Sequence, residues 1–144
     1  MSRVFLDANV LFSAAISPKG VARAIFELAD QSEDIALVTT NYAVKEALRN
    51  LKEKFPGRAA KLPHLLANVD LFDEPTAELI REVHDLVPDP HDVPILAGAV
   101  HARADLLVTG NSKDFRELYG KRVGSCLVLR PRDALDLLLT REVT

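Results

Sequence analysis

Three acidic side chains stand where an α/β chain could aim them at one point. Asp7 ends the apolar segment Arg3-Val4-Phe5-Leu6, with Ala8 and Asn9 just beyond it. Glu46 lies on a helix-like stretch from Tyr42 to Leu51, and Asp92 opens a second helical run through Val100. A fourth polar group, Asn111, follows Asp105-Leu106-Leu107-Val108-Thr109-Gly110. In an open α/β sheet the carboxyl ends of parallel strands, and the helices after them, face one crevice. Carboxylates gathered there repel one another, which raises at least one pKa unless a cation compensates. Hard oxygen ligands of this kind suit magnesium or manganese. Such an ion activates water and neutralises charge on phosphorus oxygens, so the set predicts metal-dependent phosphodiester cleavage. No member is diagnostic alone. An Asp after a strand is commonly a turn or cap residue, Glu46 alone reads as a surface helix residue, and Asp92 could cap its helix. The weight lies in the joint arrangement of strand end, helix, helix start and second strand end.

The elements that must position these groups alternate along the chain. Val4 to Leu6 reads as a short buried strand, and Ser17-Pro18 as the N-cap and first residue of a helix bearing Val21, Ala24, Ile25 and Leu28. Ile35 to Val38 reads as a second strand. Thr40 or Asn41 can cap the Glu46 helix, whose core stripe is Val44, Ala47, Leu48 and Leu51. Glu46 lies beside that stripe, at a boundary. Pro56-Gly57 breaks the helix, and Arg58 to Asn68 resumes a helical pattern that Pro63 should bend or restart. Val69 to Phe72 is a weak strand, Thr76 to Leu86 a helix, and Val87 to Pro90 a loop. The Asp92 helix runs to Arg103 and tolerates Pro94 in its first turn. Leu106 to Val108 is a strand, Ser112 to Tyr119 a short helix, Cys126 to Leu129 a strand, and Pro131 to Leu139 a final helix. Strands separated by helices predict one domain over residues 1–144 with a parallel sheet and helices on both faces.

Composition sets the class. At 144 residues, 48% apolar and 27% charged, the chain reads as one ordinary water-soluble domain. Its apolar runs fall short of a membrane helix, and Asp7 inside the first segment argues against a signal peptide. The single Cys126 has no disulfide partner within the chain and reads as a small buried hydrophobe, which predicts a reducing, cytoplasmic setting. The net charge of −3 hides an asymmetry. From Lys45 to Lys61 six bases face two acids; from Asp70 to Asp92 eight acids face Arg81 alone. Solvated helix faces explain both runs. The basic one could also hold phosphates beside the acidic centre, through Arg49, Lys52 and Arg58.

With these residues in view, the chain resembles the PIN-domain ribonucleases. The likeness is carried by Asp7-Ala8-Asn9-Val10-Leu11, Glu46, Asp92-Val93-Pro94-Ile95-Leu96-Ala97 and Leu107 through Phe115, in order, over nearly the whole chain. The resemblance implies a three-layer α/β/α sandwich with a mostly parallel central sheet. It also implies Mg²⁺- or Mn²⁺-dependent cleavage of single-stranded or structured RNA. By motif position Asp7, Glu46 and Asp92 match the metal-binding acids, Asn9 the residue supporting the first acid, and Thr109 the hydroxyl beside the last motif. Asn111 departs from the fourth Asp of many members. It is expected to act as a neutral ligand or to position water, with Asp89 or Asp114 as substitutes and Asp114 expected to face solvent. Many small single-domain members are toxins of toxin–antitoxin pairs, which makes an antitoxin protein and a second copy of the chain the expected partners beside the RNA substrate.

Competing readings are weaker. The departure at Asn111 motivates a catalytically impaired PIN-like domain that binds RNA or protein. A phosphorylatable receiver domain lacks a paired acid next to the first strand and gives Glu46 no role. Gly110-Asn111-Ser112-Lys113 lacks the upstream glycine of a phosphate loop, and the four histidines show no zinc-like spacing. His91 and Ser13 stand near the expected site as minor candidates.

Overall fold

A computed structural model of the protein describes residues 2–143, with the side chains of residues 2–141. The strands are β1 (Ser2–Leu6), β2 (Ile35–Thr40), β3 (Asp70–Phe72), β4 (Leu106–Val108), β5 (Arg122–Val123) and β6 (Cys126–Leu129). The helices are α1 (Ala8–Ile16), α2 (Val21–Asp30), α3 (Asn41–Lys54), α4 (Lys61–Leu66), α5 (Ala77–Val83), α6 (Val93–His101), α7 (Ser112–Phe115) and α8 (Pro131–Val143). The sheet order is β3-β2-β1-β4-β6-β5, and every pairing is parallel except β5 with β6. This is the α/β/α sandwich with a mostly parallel sheet that the sequence predicts.

The order of strands decides where the site lies. From β1 the chain steps outward through β2 to β3, then returns over β1 to β4 and continues to β6. Right-handed crossovers put the outward and return connections on opposite faces of the sheet. The strand order therefore reverses between β1 and β4, and a crevice opens beyond their carboxyl ends. Val4, Phe5 and Leu6 of β1 and Leu106, Leu107 and Val108 of β4 are all buried, as befits central strands covered on both faces. Their ladder continues past the strand ends. The Asp7 N–H donates to the Val108 carbonyl (3.1 Å), and the Thr109 N–H to the Leu129 carbonyl (3.1 Å).

Several local expectations give way. The chain turns into α1 immediately after Asp7, a helix the sequence pattern did not announce, because Ala8, Val10, Leu11, Ala14 and Ala15 bury most of its surface and leave little amphipathic contrast. Ser17 closes α1 rather than opening the next helix, and α2 starts at Val21 after Gly20. Pro63 falls in the first turn of α4, where its missing N–H has no helical partner to lose. The helix expected from Ser112 to Tyr119 is α7 followed by a 3₁₀ turn over Arg116–Leu118. The short β5 was not anticipated. Gly124, at φ +60, supplies the left-handed residue of the tight turn joining it to β6.

Candidate active site

Asp7 is held by its own neighbours. It is 2% exposed and caps α1, one carboxylate oxygen accepting the Ala8 N–H at 2.6 Å. The other oxygen accepts the Thr109 hydroxyl at 2.7 Å and the Asn9 amide at 3.1 Å. Thr109 accepts the Asn111 N–H at 3.1 Å, and the Asn9 carbonyl accepts the Gly110 N–H at 2.7 Å. These bonds tie the end of β1 to the end of β4 across about a hundred residues of chain. A Cβ at position 110 would lie 3.3 Å from the Asn9 oxygen, so glycine permits the close approach. Asn9 and Thr109 thus both bond Asp7. Burial outweighs the three hydrogen bonds, with Glu46 adding like charge, and pushes the Asp7 carboxyl up to about 6.

Asp92 arrives from the opposite direction. It ends a 3₁₀ turn over Pro90–Asp92 and precedes α6, but its carboxylate caps nothing; Asp89 instead accepts the His91 N–H at 2.9 Å. Burial, a hydrogen-bonding contact with Asp114, and the charges of Asp7, Asp114 and Asp89 push the Asp92 carboxyl up to about 7. Tyr42 of α3 donates to the His91 carbonyl at 2.6 Å and ties this turn to the helix carrying Glu46.

Asp114 does not face solvent, contrary to expectation. It is half-buried because Asn111 folds back onto it. The Asn111 amide donates to Asp92 and to Asp114, each at 3.2 Å, while its carbonyl accepts the Asp114 N–H at 3.3 Å and so caps α7. That N–H needs an acceptor, which fixes the amide orientation. Asn111 consequently presents N–H groups, not a carbonyl oxygen, to the acids beside it. Among the described residues, Asp89, Asp92 and Asp114 have carboxylate oxygens within 4.8 Å of one another. Asp7 and Glu46 are not part of that group.

Asp7, Glu46, Asp92 and Asn111 line one open cleft of about 350 Å³, together with Ala8, Asn9, Phe12, Asn50 and Lys54. Glu46, Asn50 and Lys54 are spaced four apart along α3 and form its cleft face. Asn50, Lys54 and Phe12 were not singled out from sequence, although counting in fours from Glu46 finds the first two. Arg49, Lys52 and Arg58 are exposed and lie outside this lining. His91 is exposed beside Asp89 (3.0 Å), and Ser13 lines a neighbouring hollow with Asn9 and Gly110.

The donor set fits a hard divalent cation. Its ligands are carboxylate oxygens on an open cleft, and among the described residues no lysine or arginine forms an ion pair with Asp7, Glu46 or Asp92. The carboxyls of Asp7 and Asp92 are raised first by burial and then by like charge around them.

Asp7, at a strand end and bonded to the neighbouring strand end, thus shares one cleft with Glu46 and Asp92. The chain belongs to the PIN-domain family, whose profile matches residues 3–113. No curated protein sequence gives a significant match. Among solved structures, VapBC2 from Rickettsia felis bound to a promoter DNA fragment is 18% identical with a TM-score of 0.65, the match covering 89% of this chain and 98% of that one. DNA-bound VapBC from Salmonella typhimurium is 17% identical with a TM-score of 0.63, over 91% and 99%. Mycobacterium tuberculosis VapC20, described as a sarcin–ricin loop cleaving toxin, is 14% identical with a TM-score of 0.53, over 72% and 86%. At these identities the likeness is one of fold.

Proposed function

We propose that this protein is an endoribonuclease that hydrolyses RNA phosphodiester bonds with Mg²⁺ or Mn²⁺, acting in the cytoplasm as the toxin of a toxin–antitoxin pair. The observation that carries the reading is the opening of Asp7, Glu46 and Asp92 onto one cleft at the point where the strand order reverses. These three residues would hold the cation, with Asp114 and Asp89 beside Asp92 as further acidic oxygens. When bound, the ion lowers the pKa of its water and offsets negative charge on the phosphorus oxygens.

The chain's own residues do the rest. Thr109, Asn9 and the Ala8 N–H aim Asp7, so its carboxylate needs little reorganisation to meet charge in the cleft. Asn111 positions Asp92 and Asp114 by bonding both. Arg49, Lys52 and Arg58 attract phosphates from the exposed side of α3 and the turn after it. Family membership and the fold shared with a sarcin–ricin loop cleaving toxin support the toxin assignment, with an antitoxin protein and a second copy of the chain as partners.

The test is cleavage of single-stranded and structured RNA with Mg²⁺ or Mn²⁺, with and without chelator. Cleavage that needs the ion supports the proposal; metal-independent cleavage, or none, sinks it.

Asn111 favours a second reading, a catalytically impaired domain that binds RNA or protein, because its carbonyl is engaged in capping α7. Asn111→Asp separates the two. In an active enzyme it should lower the metal concentration for half-maximal cleavage, since hard dications prefer a charged oxygen. A natural protein without cleavage that gains it on Asn111→Asp would establish the binding module.

A further inference from the structure

One aromatic ring lines the cleft and a second packs against it, and the acidic centre uses neither. Phe12 of α1 lines the cleft and packs on the core, but Phe55, which ends α3, is 46% exposed and lies outside the core cluster. Their ring centroids are 5.9 Å apart with planes inclined at 58°, an ordinary tilted aromatic pair. The Lys54 ammonium lies 5.8 Å from the Phe12 centroid and also lines the cleft. Core packing accounts for Phe12. It does not account for Phe55, a large ring left half in water against Phe12, the ring that lines a cleft built from carboxylates and has an ammonium beside it.

We infer that Phe55, backed by Phe12 and Lys54, is a stacking site for one nucleobase of a single-stranded nucleic acid whose backbone enters the carboxylate cleft. An exposed ring packed against a second ring that has an ammonium beside it matches the two parts of a nucleotide, a π-face and a phosphate. Charge favours this occupant over a protein segment. Phe55 sits within the stretch Lys45–Lys61, where six bases face two acids, so a polyanion is drawn to this end of α3. Stacking tolerates any base, so the platform fixes the register of the strand in the cleft rather than its sequence. The inference rests on the ribonuclease reading and deepens it by assigning one base-stacking position beside the cleft.

The experiment measures binding of a short, unstructured, fluorescently labelled oligoribonucleotide in the Asp92→Asn background, which separates binding from cleavage. Phe55→Ala should weaken binding roughly tenfold, and Phe55→Trp should restore it. Replacing successive bases of the oligonucleotide with abasic sites should weaken binding to the Phe55-containing protein at one position. The same replacement should have little further effect once Phe55 is alanine. Phe55→Ala gives up the contact with Phe12 and should lower the melting temperature by only a few degrees, about 2–4 °C per kcal/mol lost, whereas Phe55→Trp should keep it. Oligonucleotide binding that is indifferent to Phe55→Ala overturns the stacking site while leaving the ribonuclease proposal standing, and would leave a protein partner as the cover for these rings. A parent protein that binds no single-stranded RNA also overturns the stacking site, and the cleavage assay with structured RNA then decides the ribonuclease proposal on its own.

Discussion

The two walls of the cleft are built on opposite principles. On the sheet wall, Asp7, Asn9, Thr109 and Gly110 form a closed hydrogen-bond network, with Asp7 and Thr109 almost wholly buried. On the helix wall, Glu46 shares its side of α3 with Asn50 and Lys54, and its carboxylate makes no hydrogen bond or ion pair with a described residue. The sheet wall supplies a charge whose direction is fixed before anything binds. The helix wall supplies one that can adjust to an ion or a phosphate. Preorganisation on one side is bought with desolvation, visible in the raised Asp7 carboxyl.

The largest expected effect breaks the fixed wall. Asp7→Asn removes the charge and replaces an acceptor oxygen in a saturated network, and should lower metal-dependent RNA cleavage by more than about a thousandfold. Glu46→Gln keeps an oxygen on a side chain free to move, and should cost about ten- to a hundredfold, with melting unchanged. Equal losses in a side-by-side cleavage assay would show that the walls do not differ in the way described.

Protonation sharpens the contrast without substrate. Asp7 and Asp92 have folded-state pKa values raised from 3.8 to about 6 and about 7. The folded state then holds protons more tightly than the unfolded chain, so metal-free stability should be highest below about pH 4 from these groups and fall as pH rises through 4 to 7. Asp92→Asn should flatten that fall and raise the metal-free melting temperature at neutral pH by a few degrees, about 2–4 °C per kcal/mol relieved. Added Mg²⁺ or Mn²⁺ should stabilise the parent more than the variant. Calorimetry across this pH range checks the point, and a variant that melts lower than its parent at neutral pH would refute it.

The smallest effect lies outside the cleft. Neutralising Arg49, Lys52 and Arg58 together should weaken RNA binding across sequences and reduce the log–log salt slope by roughly one unit or less per contact. The maximal cleavage rate should stay unchanged, since none of the three lines the cleft. An unaltered slope would make the stretch a solvated face.

The acids at strand ends and helix starts were legible because strand and helix signals are local. An apolar run announced β1, a proline the entry to α6, and a capping residue at Thr40 or Asn41 the start of α3, where the structure uses Thr40. What misled was also local. α1 is buried on too many sides to show a helical stripe, and Ser17-Pro18 has the composition of a helix start while closing a helix. Asp114 looked like a surface residue because its half-burial depends on Asn111 folding back over it, a contact that pattern alone does not encode.

Sequence by itself determined the alternation of strands and helices, the order of the acids along the chain and the kinship they imply, since periodicity and capping act within a few residues. Only the tertiary structure decided that β1 lies beside β4, and with it that Thr109 holds Asp7, that Asn111 spans Asp92 and Asp114, and that Lys54 and Phe12 join the cleft. Those contacts link residues far apart in the chain, and their geometry follows from which strands pair and which helix faces pack, a choice made by burial of the whole core at once.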